Sequence, residues 1–212
     1  MSNKADRYLH NMQTVHANGA QIPALGFGTW DLRGSVATDM VRFALDIGYR
    51  HIDTAVMYNN ETEVGAGLRL SGVSRGSIFL TTKIWPTDFA PKDFHRALQT
   101  SLQRLQVDYV DLLLLHWPNP DIALADTLGT LAQARKDGLA RHIGVSNFNR
   151  SLLNEAVSLC DEPLVVNQIE YHPFLDQRDM VKVMGDHDIA LAAYCPIARG
   201  RVFNDPVLSD IA

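Results

Sequence analysis

Seven short apolar runs recur along this chain at nearly constant spacing, and that period limits the folds open to it. The runs are Leu25–Thr29, Arg50–Asp53, Ile78–Thr82, Val110–Leu115, His142–Val145, Val165–Ile169 and Ile189–Tyr194. They lack strict polar alternation, which is the pattern of strands buried on both faces, as in a parallel sheet. Amphipathic stretches separate them: Val36–Asp46 behind Ser35 as N-cap, Thr62–Leu70, Pro91–Leu105, Ile122–Lys136, Arg150–Leu159 and Arg178–His187. Pro91 suits a first helical turn, Phe94, Leu98, Leu102 and Leu105 share one face, and Asp137-Gly138 is a C-cap signal. The first run starts at Leu25 and the seventh at Ile189, so six steps average about 27 residues, the βα repeat of a (β/α)8 barrel.

An eighth run is expected about four residues beyond the last position, Ala212. The sequence therefore predicts an α/β chain of the (β/α)8 TIM-barrel type whose last βα unit is absent from it. An open, doubly wound sheet is the alternative, with a ligand crevice at a strand-order switch and a glycine-rich first loop. The loop Gly26-Phe27-Gly28-Thr29-Trp30 fits that poorly, because no third glycine opens a helix. Ahead of the repeat, Met12–His16 and Gln21–Ala24 flank Asn18-Gly19, a strong two-residue hairpin turn. Residues 1–11 read as a disordered tail, and 12–212 as a single domain with the hairpin across the barrel's bottom.

Composition closes off other classes. Of 212 residues, 46% are hydrophobic and 20% charged, which is ordinary for a folded globular chain. Lys and Arg number 19 against 24 Asp and Glu, the wrong sign for binding nucleic-acid phosphates. No apolar run is long enough to span a membrane, and the polar N-terminus carries no export signal. With Cys160 and Cys195 as the only cysteines, a reducing, cytoplasmic setting is expected.

In parallel α/β proteins chemistry sits where strands exit toward their helices. Asp53 with Tyr58, then Lys83, then His116 follow three consecutive runs, so neighbouring strands bring all four to one mouth. A Lys ammonium about 4 Å from a phenol, at an effective dielectric near 20, contributes about 4 kcal/mol. That is enough to lower the Tyr58 pKa by about two units and make it a general acid near neutral pH. Asp53 would hold Lys83 charged and oriented, and His116 would hydrogen-bond the reacting oxygen. The set delivers a proton to a carbonyl and contains no nucleophile. A metallohydrolase built on Asp53, His116 and His172 is the weaker reading, since His142 starts its run and so stands at the opposite rim. Cys195 has no histidine partner in sequence and no G-x-S-x-G elbow is present.

These residues stand in segments that resemble the aldo-keto reductases: Leu25–Trp30, Gly48–Ala55, Tyr58–Glu61, Thr82–Trp85, Asp108–Leu112, His116–Pro118, Ile143–Phe148 and Asn167–Glu170. The likeness spans about Val15 to Tyr194 and is closest in character to bacterial diketogluconate and methylglyoxal-type reductases. It implies a (β/α)8 enzyme that reduces an aldehyde or ketone with NADPH and no metal. It further implies Asp53, Tyr58, Lys83 and His116 as catalytic tetrad, Tyr58 giving the proton. Ser146, Asn147 and Gln168 would hold the nicotinamide carboxamide, Tyr194 would stack on the ring, and the loop through Ile197 would hold the pyrophosphate. Trp30, Trp85 and Trp117 would wall the substrate pocket. The other reading is a catalytically inactive product, or a cofactor-binding regulatory protein, on the same barrel. Partners are a small carbonyl substrate, with neither nucleic acid nor membrane. A full-length protein is expected to be a monomer, and a chain ending at Ala212 to self-associate through its unclosed edge.

Overall fold

A computed structural model describes residues 13–211. The predicted tail over 1–11, and Met12 of the predicted hairpin, lie outside the described residues. The Asn18-Gly19 turn joins β1 (Thr14–Ala17) to β2 (Ala20–Pro23) as an antiparallel pair. Asn18 and Gly19 have φ of 43° and 83°, the left-handed pair that a type I′ turn requires.

The repeat then runs as the spacing predicts: β3 (Gly26–Gly28), α1 (Gly34–Asp46), β4 (His51–Asp53), α2 (Glu61–Leu70), β5 (Phe79–Ile84) and α3 (Pro91–Leu105). It continues through β6 (Val110–Leu115), α4 (Leu124–Lys136), β7 (Ala140–Ser146), α5 (Arg150–Leu159), β8 (Leu164–Glu170), α6 (Arg178–Asp186) and β9 (Ala190–Tyr194). A turn of 3-10 type over Ala198–Asn204 and the short α7 (Pro206–Ile211) follow. Among the described residues, β3 to β9 form one parallel sheet of seven strands in strict chain order. Sequential order leaves no switch point, which excludes the doubly wound alternative. The sheet curls as an incomplete barrel with β3 and β9 as its edges.

Two apolar layers explain why the runs lack alternation. Between strands and helices lie Ile52, Leu80, Leu113, Leu115, Ile143 and Val145, packed on Val64, Leu98, Leu102, Leu128 and Leu131. Inside the curl, Phe79, Leu112, Leu114 and Val166 meet Ala20 and Ile22 of the hairpin, so the hairpin floors the barrel. Asn18 fastens it: its backbone N–H donates to Asp188 (2.8 Å) and its amide to the carbonyls of Leu164 (2.8 Å) and His187 (3.0 Å). Gly144 lets β7 lie close to its neighbours, since a Cβ there would stand 2.5 Å from the Val166 carbonyl oxygen.

Two helix starts move by two residues. Ser35 is not the cap of α1: the helix starts at Gly34, Arg33 is the flanking residue, and no side chain caps it. The fourth helix starts at Leu124 instead of Ile122, because Asn119 holds the chain in a local turn. Its Oδ1 accepts from the Asp121 N–H at 2.9 Å while its amide donates to the Pro86 carbonyl at 2.9 Å. Conversely, Asn149 caps α5 by accepting from the Leu152 N–H at 2.9 Å.

The edges leave apolar surface uncovered. Val36, Met40, Phe43 and Ile47 run down one exposed stripe of α1, and Phe203, Val207 and Ile211 stand exposed beyond β9. Among the described residues no helix is long and apolar enough to cross a membrane.

Candidate active site

Strand register sets the site. Asp53 ends β4 and pairs with Thr81 of β5, two residues before Lys83. Lys83 in turn pairs with Leu114, two residues before His116. Alternation therefore aims Asp53, Lys83 and His116 into the barrel mouth from three adjacent strands. Tyr58 reaches them from the single 3-10 turn Val56–Tyr58 that follows β4.

Lys83 is the hub, with its side chain fully buried. Its Nζ forms an ion pair with Asp53 and donates to the Thr54 carbonyl at 2.9 Å and to the Tyr58 hydroxyl at 3.3 Å. Burial pulls the ammonium down, but the Asp53 carboxylate and then Tyr58 outweigh it, so its pKa lies above the ordinary lysine value. Tyr58 corrects the electrostatic expectation. Lys83 does stand beside the phenol and lowers its pKa, yet burial raises it by more, and the net shift is upward. The phenol thus stays protonated at neutral pH and holds a proton to give. His116 is pushed down to about 4, first by burial and then by Lys83, so its imidazole is neutral. Tyr58 and Trp85 both stand edge-on to the His116 ring, with centroids 5.6 and 5.2 Å away.

A hydrogen-bond chain joins this group to the next strand exits. Gln168 Nε2 donates to Asp53 Oδ2 at 2.8 Å, and the Ser146 hydroxyl donates to the Gln168 carbonyl at 2.9 Å. The Asn147 amide donates to the His116 carbonyl and to Ser146 Oγ, each at 3.0 Å, and its Oδ1 accepts from the Tyr194 hydroxyl at 2.9 Å. Asn147 has a φ of 62°, a left-handed value that asparagine tolerates. The remaining predicted residues stand more exposed. Ile197 is exposed on the loop after β9, and Trp117 is 44% exposed. Trp30 is 52% exposed at the β3 exit, under the Arg199 guanidinium at 5.6 Å. His172 pairs with Glu170 at 3.1 Å.

Sequence reasoning assigned no role to the Thr54 carbonyl or to Glu61. Glu61 is buried behind β5, where Oε1 accepts from Ser101 (2.5 Å) and Thr82 (2.7 Å) while Oε2 has no hydrogen-bond partner. Burial raises its pKa above the ordinary carboxylate value, against the two hydroxyls and Arg104. A carboxyl whose folded pKa is raised holds its proton more tightly when folded, so stability falls as pH climbs from the unfolded value through the folded one. Glu61→Gln is therefore expected to flatten the decline of Tm above about pH 4.3, the reference glutamate value. An unchanged Tm–pH curve would show that Glu61 is not its source.

The aldo/keto reductase family pattern matches residues 24–207. The chain belongs to that family. As an aldo-keto reductase it is an NAD(P)H-dependent oxidoreductase. Methylglyoxal reductase DkgB of Escherichia coli O157:H7 is 40% identical over 194 residues, covering 90% of this chain and 73% of that protein. Glyoxal reductase of Bacillus subtilis strain 168 is 40% identical over 196 residues, covering 92% and 71%. A solved structure described as a putative 2,5-diketo-D-gluconic acid reductase B superposes with TM-score 0.93 at 43% identity, covering 97% of this chain and 73% of that one. A Bombyx mori aldo-keto reductase in complex with NADP superposes with TM-score 0.81 at 37% identity, covering 86% and 66%. With these relatives the half-closed sheet of this aldo-keto reductase is identified as barrel architecture.

Proposed function

We propose that this aldo-keto reductase reduces a small aldehyde or ketone to an alcohol using NADPH, with Tyr58 as the proton donor. The observation that carries the reading is the buried Asp53–Lys83–Tyr58 chain meeting a neutral His116 at one mouth. When bound, a reduced nicotinamide supplies the hydride. Tyr58 supplies the proton: the oxygen of a carbonyl held between the phenol and His116 gains negative charge as it is reduced, and the phenol proton moves to it. Lys83 stabilises the phenolate left behind, because its ammonium is 3.3 Å from that oxygen. Asp53 keeps the ammonium charged and fixed. A neutral His116 orients the carbonyl by hydrogen bond without competing as an acid, and Trp85 walls the site beside it.

The donor set at the next exits fits a nicotinamide. Ser146, Asn147 and Gln168 offer one hydroxyl and two amides, which complement a carboxamide, and the Tyr194 ring is held against Asn147 as an aromatic face. Ile197 belongs to the loop assigned to the cofactor's pyrophosphate, and Trp30 and Trp117 to the outer pocket. Residues 12–212 make up the barrel domain, and free Cys160 and Cys195 suit a cytoplasmic protein. The names of the relatives favour small dicarbonyls such as methylglyoxal or a diketo sugar acid as substrate. The test is steady-state turnover of methylglyoxal, glyoxal and a diketo acid with NADPH and with NADH. Consumption of NADPH with formation of the alcohol is expected; cofactor binding without turnover of any carbonyl would favour the regulatory reading.

We also infer that a polypeptide of these 212 residues self-associates through the exposed stripe of α1 and the β3 and β9 edges. Uncovered apolar patches of several hundred Å² are uncommon on monomers. Size-exclusion chromatography with light scattering should give a mass above one chain; a monodisperse monomer would contradict it.

A further inference from the structure

We propose that Asn60 is a positioning residue that ties the proton-donor turn, the Lys83 cradle and the Trp30 loop into one unit; this rests on the reductase reading above. Asn60 is 1% exposed and lies two residues after Tyr58. Both amide hydrogens are spoken for by backbone carbonyls of the β3 exit loop, Thr29 at 2.8 Å and Leu32 at 3.0 Å. Its Oδ1 accepts from the Thr54 hydroxyl at 3.2 Å. Thr54 is the residue whose carbonyl receives the Lys83 ammonium at 2.9 Å, and Thr29 itself donates from its backbone N–H to the Asp53 carbonyl at 2.9 Å. One amide side chain thus links the residues flanking Trp30 to the residue that fixes Lys83, from a position two residues after Tyr58.

The chemistry needs a primary amide here. Two carbonyls must be satisfied by one donor group and one hydroxyl by an acceptor on the same side chain, and only asparagine does that at this length. A helix cap is not its role, because the Asn60 side chain makes no capping bond to α2 although it occupies that helix's N-cap position. Aspartate would face two buried carbonyl oxygens without a hydrogen to give, and alanine would leave all three groups unpaired.

Loosening this tie should act on the reaction in two places. The Thr54 carbonyl that receives Lys83 is held less firmly, so the ammonium moves relative to the phenol, the Tyr58 pKa rises and the alkaline limb of the kcat profile shifts upward. The Trp30 loop loosens, so KM for the carbonyl rises while the affinity for NADPH holds. The experiment compares wild type, Asn60→Ala, Asn60→Asp and Thr54→Val, the last removing only the hydroxyl bond to Asn60. Misplacement of catalytic groups by about 1 Å costs up to about 100-fold; a fall in kcat of about tenfold or more is expected for both Asn60 variants, with a smaller fall for Thr54→Val. Hydrogen exchange of the free proteins supplies a readout independent of turnover: the Leu32 amide should exchange faster in the Asn60 variants while β5 and β6 keep their protection. Wild-type turnover with unchanged kcat, alkaline limb and Leu32 exchange in the variants overturns the assignment of Asn60 alone. Uniform loss of protection with an unshifted limb also overturns it, since that marks a merely structural residue. A wild type that turns over no carbonyl overturns the reductase reading, and the positioning role falls with it.

Discussion

Tyr58→Phe is expected to lower kcat by about 10²–10⁴-fold, the range contributed by a positioned proton donor. The variant removes one hydroxyl and nothing else from the mouth. Lys83 loses its contact at 3.3 Å but keeps Asp53 and the Thr54 carbonyl at 2.9 Å. The Phe ring occupies the same space against His116, whose ring lies 5.6 Å from that of Tyr58. Folding stability should therefore change little, and affinity for NADPH should hold, because the residues assigned to the nicotinamide stand on β7, β8 and β9. Circular dichroism, cofactor titration and initial rates on one preparation separate these effects. A variant retaining more than about a tenth of the wild-type kcat would remove Tyr58 from the role of acid.

Lys83→Met is expected to destabilise the fold as well as silence it. The ammonium is fully buried and holds three oxygens: the Asp53 carboxylate, the Thr54 carbonyl and the Tyr58 hydroxyl. Methionine fills similar volume but satisfies none of them. Removing one partner of a buried ion pair costs about 3–5 kcal/mol, and this site should fall at the lower end. Asp53 retains the Gln168 amide at 2.8 Å, and its side chain is 15% exposed. The sign with pH follows from the raised lysine pKa. The stability it contributes is fully present below the unfolded lysine value, about 10.4, and is lost only as pH rises through the folded one. Urea denaturation at neutral pH should thus show the whole loss in the variant, while the wild type loses the same increment only in alkali. Asp53→Asn added to Lys83→Met should recover part of it, since no unpaired carboxylate remains. A Lys83→Met protein as stable as wild type would mean that the pair contributes nothing net to folding.

The barrel was legible because its signal is local and repeated. Each strand needs only an apolar run and each helix an apolar stripe, and seven repetitions at one spacing leave little freedom in topology. The tetrad was legible for a related reason: parallel strands expose the residue after each run at the same end, so adjacency in the repeat becomes adjacency in space. What the sequence withheld depends on depth and on long separations. The net direction of the Tyr58 shift is set by burial, which no spacing reveals, and the pull of Lys83 alone points the other way. The Gln168–Asp53 bond joins residues 115 positions apart. Ser35 looked like a cap, but α1 starts two residues sooner than expected, at Gly34. Asn60 was visible only as part of a motif, and its three partners come from the β3 and β4 exits.

Deuteride transfer from cofactor to substrate can be followed directly. Methylglyoxal would be incubated with this aldo-keto reductase and NADPH carrying deuterium at the transferable ring position, and the product read by mass spectrometry. An alcohol with one deuterium on the former carbonyl carbon is expected from wild type, and from Tyr58→Phe at least about 100-fold more slowly. An unlabelled alcohol, or labelled product formed equally well by Tyr58→Phe, would contradict the proposed function.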